Sequence, residues 1–158
     1  MSLEFEQMIE AQSGRIVAIA RRYADRDQVD DLYQEILEQL WRSFPEFRGQ
    51  SKLETWVYRV GFNTAMTRVR KDIKQREGKQ KLAGLQQSEA GPAERCQAEI
   101  LEDFMASLND VDASILMMYL DGLSGQEVAD VLGLSLNASQ VRISRLKQAF
   151  TTRYVEDK

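Results

Sequence analysis

Three acidic side chains, Asp31, Glu35 and Glu38, recur at i, i+4 and i+7, so on a helix they share one face, with Asp30 and Gln34 beside them. Two kinds of chemistry use such a face. Carboxylates bind metals, but a helical carboxylate site needs ligands converging from other helices and normally a histidine, and this chain has no histidine. Alternatively the face docks a basic partner helix through complementary charge. A solvated surface is the third reading. A second set lies toward the C-terminus, where Gly133-Leu134-Ser135 joins two short helical segments. The glycine suits a left-handed helix end, and the serine suits the cap of the next helix. In that next helix Ser139, Ile143, Leu146 and Phe150 fall at i, i+4, i+7 and i+11 and face the domain. Asn137, Gln140, Val141, Ser144 and Arg145 are thereby turned outward. Short polar side chains at the start of such a helix, with Arg142, Arg145 and Lys147 behind, suit base edges and phosphates in a major groove. The same spacing also fits a plain helical hairpin with a solvated basic face.

A third set occupies the middle of the chain. On a helical wheel, Lys52, Arg59, Asn63, Met66 and Arg70 form one stripe. Leu53, Trp56, Val57 and Val60 flank it on one side, and Tyr58, Phe62, Ala65 and Val69 on the other. Between Arg48 and Lys81 there are ten basic residues and three acidic ones. Cations interleaved with aromatics are what melted or single-stranded nucleic acid prefers, because bases stack and phosphates need charge. Core aromatics with solvated cations fit the composition equally well.

The whole chain of 158 residues holds 21 Lys+Arg against 25 Asp+Glu, a net charge of −4. That total would argue against a nucleic-acid partner, but the charge is sorted. Glu99 to Asp130 holds eight acidic residues and no basic ones; Ser139 to Arg153 holds four basic residues and no acidic ones. Any duplex binder needs a positive surface against phosphate, and here it lies on the expected helix. The lack of histidine removes most catalytic triads and most general-base schemes at neutral pH. The chain therefore reads as a non-enzyme, with no catalytic residue, no metal and no cofactor. Cys96 is the single cysteine, so no internal disulfide forms, and one thiol fits a reducing cytoplasm. No apolar run approaches the ~20 residues of a membrane span. Met1 to Glu10 shows no basic segment followed by an apolar one, so no secretory signal is expected.

The elements that must position these residues are all helical. Only Pro45 and Pro92 interrupt the chain, and no stretch alternates at period two. The spacing predicts helices from about Leu3 to Ala24 and from Gln28 to Phe44. A third opens at a Ser51-Lys52-Leu53-Glu54 capping box and runs to about Lys71 or a little beyond. Residues 76–95 are polar, with three glycines and one proline, and read as a flexible linker. A polar continuation of the third helix to about Leu85 is the alternative there. Four more helices follow: Cys96 to Leu108, Val111 to Asp121, Ser124 to Leu132 behind a second capping box (Ser124-Gly125-Gln126-Glu127), and Leu136 to about Arg153. The expected fold class is all-α, with two small helical domains, 1–75 and 96–158, joined by that linker. The second contains a helix-turn-helix.

The run DLYQEILEQLWRSFPEFRGQSKLETWVYRVGFNTAMTRVRK, Asp31 to Lys71, resembles the second conserved region of bacterial ECF (extracytoplasmic-function) sigma factors, the promoter-specificity subunits of RNA polymerase. The run from Leu108 to Phe150, with GLSGQEVADVLGLSLNASQVRISRLKQAF, resembles their fourth region. The two occur in the family's order, with a linker between. The resemblance implies a transcription initiation factor with core RNA polymerase, promoter DNA and an anti-sigma protein as partners, and cytoplasmic location without membrane insertion. By the same resemblance, Asp31, Leu32, Gln34, Glu35 and Glu38 grip the polymerase clamp. Phe47, Arg48, Gly49, Gln50 and Ser51 form the loop that captures a flipped base of the minus-ten element. Lys52, Arg59, Asn63, Met66, Arg70 and Lys71 read and help open that element. Asn137, Ser139, Gln140, Val141, Arg142, Ser144, Arg145 and Lys147 read the minus-thirty-five element. One departure stands out: the family usually has an apolar residue where this chain has Ser139. From the residues alone, a stand-alone helix-turn-helix regulator acting as a dimer, or a helical adaptor, remains the alternative.

Overall fold

The computed structural model describes residues 3–47, 49, 51–76 and 97–155. Among the described residues there are seven α-helices and no strand, and they fall into two compact units.

The first unit is built from α1 (Leu3–Tyr23), α2 (Val29–Ser43) and α3 (Leu53–Arg76), with 3-10 turns at Arg26–Gln28 and Phe44–Glu46. The helix α1 starts with Glu4 and Glu6 and ends with Arg21 and Arg22, which complements its dipole at both ends. Its buried side is Phe5, Met8, Gln12, Ile16, Ile19, Ala20 and Tyr23. The apolar stripe of α2 delivers Leu32, Ile36 and Leu40 to the core, each fully buried. Each such burial is worth about 1.5–3 kcal/mol. In the bundle each helix packs on the other two, which is why α3 carries apolar residues on two faces. Trp56, Val57, Tyr58, Phe62 and Ala65 are all buried. Gly61 allows α1 and α3 to approach closely: a Cβ there would lie 2.6 Å from Ile19 Cδ1. The 3-10 turn after α2 carries Phe44 between Phe5 (ring centroids 5.3 Å) and Trp56 (6.2 Å). Pro45 fixes φ in that turn.

The second unit contains α4 (Gln97–Ser107), α5 (Asp110–Leu120), α6 (Gly125–Leu132) as far as Ala129, and α7 (Leu136–Tyr154). Its helix ends follow local chemistry closely. Asn109 caps α5 by accepting from the Asp112 amide at 2.8 Å. At the other end Gly122 takes φ +89°, and the amides of Gly122 and Leu123 bond back to the carbonyls of Tyr119 and Met118. That pair of bonds is a Schellman end. The capping box at α6 is complete: the Glu127 amide donates to Ser124 Oγ (3.1 Å), and the Ser124 amide donates to Glu127 Oε1 (2.9 Å). Phe104, Ile115, Met118, Val128 and Leu146 form the core, extended by Phe104 edge-on to Phe150 at 5.2 Å.

The helical class and all seven helices agree with the sequence expectation. The third helix ends at Arg76, beyond Lys71 as expected, so Arg76, placed in the linker by the sequence, belongs to the helix. The rest of the expected linker, residues 77–95, and the longer continuation to Leu85 lie outside the described residues. The first helical bond of α3 is accepted by the Lys52 carbonyl from the Trp56 amide (3.1 Å), which puts Lys52 at the cap position and Ser51 one residue before it.

Candidate nucleic-acid and polymerase interface

The outer face of α2 presents Asp31, Gln34, Glu35 and Glu38 to solvent, as their spacing predicts. Leu32 does not belong with them. It is 0% exposed, on the opposite face among the core residues, so its side chain sets the helix in place. The carboxylates differ in their surroundings. Glu38 accepts from Arg42 one turn on, at 2.6 Å, in a solvated pair. Such pairs contribute only about 0.3–0.5 kcal/mol and exchange readily. Glu35 points across to α3, 3.8 Å from Arg68 Nη1, while Arg68 Nη2 donates to Gln28 Oε1 at 3.2 Å. Beside this acidic row runs a groove of about 750 Å³ between α1 and α2, lined by Phe5, Ile9, Leu37 and Trp41 with Glu6 and Glu10 on its rim. Trp41 remains 42% exposed there, edge-on to Phe5 at 5.0 Å. Sequence reasoning named neither the groove nor Arg68. Arg68 lies off the α3 basic stripe, on the side that meets α2.

On α3 the stripe is intact. Lys52, Asn63, Arg70 and Lys71 are exposed, and Arg59 and Met66 are partly so. The aromatics beside it are core: Trp56, Tyr58 and Phe62 are buried, with Tyr58 and Phe62 stacked at 5.4 Å. They offer no face to an unpaired base and belong to the core of the bundle. At the α2–α3 connection, Phe47 stacks on Trp56 at 4.8 Å and 28°, which anchors the loop that follows. Gly49 takes φ +72°, a left-handed conformation that glycine adopts without strain. Ser51 is half-buried. Arg48 and Gln50 lie outside the described residues.

The helix-turn-helix is α6, the turn at Gly133, and α7. Gly133 has φ +70°, the Leu134 amide returns to the Ala129 carbonyl at 3.0 Å, and Ser135 Oγ caps α7 by accepting from the Ala138 amide at 3.1 Å. Asn137, Gln140, Val141, Ser144 and Arg145 are exposed together on the outer face, as the wheel predicts. Three other candidates are placed differently. Ser139 is 0% exposed, and its Oγ donates to the Gly125 carbonyl at 2.8 Å. Its hydroxyl is engaged by the neighbouring helix and is not presented on the outer face. Arg142 turns back to Asp112 on α5 at 3.3 Å, and Lys147 Nζ stands 4.7 Å from the Tyr119 ring centroid. Both cations remain on the flank of α7 but are drawn toward their own domain. Among the described residues no three His, Cys, Asp or Glu side chains stand close enough to share a metal ion, and no helix is long and apolar enough to cross a membrane.

A basic stripe on one bundle and an outward polar-basic face on a helix-turn-helix are the features of a nucleic-acid-binding protein. Family models agree and refine the class. Residues 8–75 match Sigma-70 region 2, and residues 98–150 match Sigma-70, region 4. The chain is 25% identical over 158 residues to the ECF RNA polymerase sigma-E factor of Haemophilus influenzae, covering 91% of this chain and 84% of that one. It is 24% identical over 163 residues to the factor of the same name from Escherichia coli strain K12, covering 94% and 85%. The fold resembles that of the sigma factor RpoE solved with the anti-sigma factor NepR from Bartonella quintana (TM-score 0.80, 16% identity, 99% of this chain and 100% of that one). It also resembles CnrH, solved with the cytosolic domain of CnrY (TM-score 0.66, 21% identity, 98% and 89%). The chain belongs to the sigma-70 family, in its ECF group.

Proposed function

We propose that this chain, a transcription initiation factor that binds core RNA polymerase and directs it to promoters, docks on the polymerase through the acidic face of α2. The first unit, with α3 and the loop before it, takes the minus-ten element. The second unit, through α7, takes the minus-thirty-five element. Residues 77–95 are the connection between them. The observation that carries this reading is the two-sidedness of α2. Leu32, Ile36 and Leu40 bury one side completely, while Asp31, Gln34, Glu35 and Glu38 are held on the other with an apolar groove alongside. An acidic row beside an apolar groove suits a basic amphipathic helical partner, with charge giving orientation and the groove giving contact area.

The roles of the remaining residues follow from exposure. Lys52, Arg59, Asn63, Met66, Arg70 and Lys71 face the minus-ten strand, with Phe47 to Ser51 as the capture loop. Holding a base outside the stack lowers the cost of opening, which is a few kcal/mol per unstacked step. Asn137, Gln140, Val141, Ser144 and Arg145 face the upstream element. The chain contributes binding and no bond chemistry, acts in the cytoplasm with the polymerase, and is held in check by an anti-sigma protein.

The test is co-elution with bacterial core RNA polymerase on a sizing column. Wild-type protein is expected to move to the polymerase peak. The double variant Asp31→Lys with Glu35→Lys is expected to stay behind with an unchanged circular dichroism spectrum. Undiminished co-elution of the double variant refutes the docking role. A wild-type protein that stays behind and binds duplex DNA as a dimer refutes the whole reading.

A further inference from the structure

We infer that Ser139 and Gly125 are positioning residues that seat Gln140 for an adenine of the upstream element, an inference that rests on the reading of α7 as the promoter reader. A serine within a helix commonly bonds back to its own preceding turn. Ser139 instead donates across to α6, to the carbonyl of Gly125 at 2.8 Å, from a fully buried position. A hydroxyl buried without a partner is costly, so this bond fixes α7 against the first turn of α6 at the residue next to Gln140.

Gly125 supplies the seat itself. It lies within α6 and is not among the glycines with positive φ, so its backbone conformation does not require glycine. What glycine provides here is space. A Cβ at 125 would stand 3.2 Å from Gln140 Cγ, 3.6 Å from Leu136 Cδ1 and 3.8 Å from Gln140 Nε2. The stem of Gln140 therefore rests on bare backbone at the start of α6. Gln140 is exposed as a residue, and both its stem and its amide nitrogen lie beside Gly125. A glutamine amide matches adenine, donating to N7 and accepting from the N6 amine. Holding that amide still is what converts a flexible polar group into a discriminating one.

The experiment uses holoenzyme reconstituted with wild-type chain or with Gly125→Ala, Ser139→Ala, Gln140→Ala or Arg145→Ala. Each selects from promoters carrying a randomised upstream element, and base preference is read at every position by sequencing. Wild type is expected to prefer adenine at one position that Gln140→Ala flattens. Gly125→Ala and Ser139→Ala are expected to lower that same preference by about fivefold or more, leaving the other positions and polymerase retention unchanged. A uniform loss of affinity across all sequences, an unchanged profile, or a preferred base other than adenine at the Gln140 position overturns the inference while leaving the reading of α7 in place. If Gln140→Ala and Arg145→Ala also leave selection of the upstream element unaltered, both the inference and the reading fall.

Discussion

The same substitution, glycine to alanine, should change the stability of the first unit in opposite directions at two places. Gly14 is exposed in the middle of α1, and a Cβ added there meets nothing within 4 Å. Alanine restricts the unfolded chain and suits the helix, so Gly14→Ala is expected to stabilise by about 0.5–1 kcal/mol. Gly61 is buried in α3, where the new Cβ would stand 2.6 Å from Ile19 Cδ1. Ile19 is itself fully buried, and a β-branched side chain has few rotamers into which to retreat. Overpacking of this kind costs about 1–3 kcal/mol. The helical gain of about 1 kcal/mol offsets part of that, leaving a net loss of about 1 kcal/mol. Each kcal/mol moves the midpoint of a unit this size by about 4–8 °C. Both tryptophans, Trp41 and Trp56, lie in α2 and α3, so tryptophan fluorescence during heating follows this unit alone. Gly14→Ala should raise the midpoint, and Gly61→Ala should lower it by several degrees. If Gly61→Ala raises it as much as Gly14→Ala does, the α1–α3 approach is not constrained by Ile19, and the reasoning fails. Because Arg59 and Asn63 flank Gly61 in sequence, a shifted α3 would also move the basic stripe.

Other outcomes follow from burial and charge. Arg145→Ala should weaken promoter binding by the holoenzyme and lower the slope of log affinity against log salt by about one; an unaltered slope means that Arg145 does not touch phosphate. Leu32→Ala should destabilise the first unit by about 2–5 kcal/mol in urea unfolding followed by tryptophan fluorescence. The folded fraction should still co-elute with polymerase; loss of co-elution at unchanged stability would return Leu32 to the docking surface.

Helix ends and faces were legible in the sequence because they rest on local chemistry. Ser124 with Glu127, Ser135 and Gly133 each act within a turn of themselves, and all three features appear as read. The outward set of α7 was legible for the same reason, since a wheel needs only the helical period. Apart from Ser51, which stands one residue before the cap of α3, the failures concern side chains whose neighbours come from elsewhere in the chain. Leu32 sits inside a motif that reads as a surface, but its spacing to Ile36 and Leu40 places it in the core. Arg142 looks like a phosphate contact until Asp112, thirty residues earlier, appears beside it. Trp56, Tyr58 and Phe62 fit either reading by composition, and only the packing of three helices decides. Gly125 carried no signal except its presence in a helix that did not need it.

The internal engagements of α7 bear on how the protein is distributed in a cell. Of its four basic residues, Arg142 is turned to Asp112, Lys147 to the Tyr119 ring and Arg153 to the Tyr154 ring. Arg145 alone of the four has no such neighbour among the described residues. A genome offers ~10⁶–10⁹ incorrect sites in competition with each correct one, and the occupancy of those sites rises with every phosphate neutralised. Of these contacts only the Arg142–Asp112 pair offsets a charge, while a cation resting on a ring keeps its own, so α7 meets phosphate with less than its full count of positive charges. Each phosphate contact given up to an internal partner lowers the occupancy of incorrect sites more than that of a promoter also held through polymerase, so the Arg142–Asp112 pair trades affinity for selectivity.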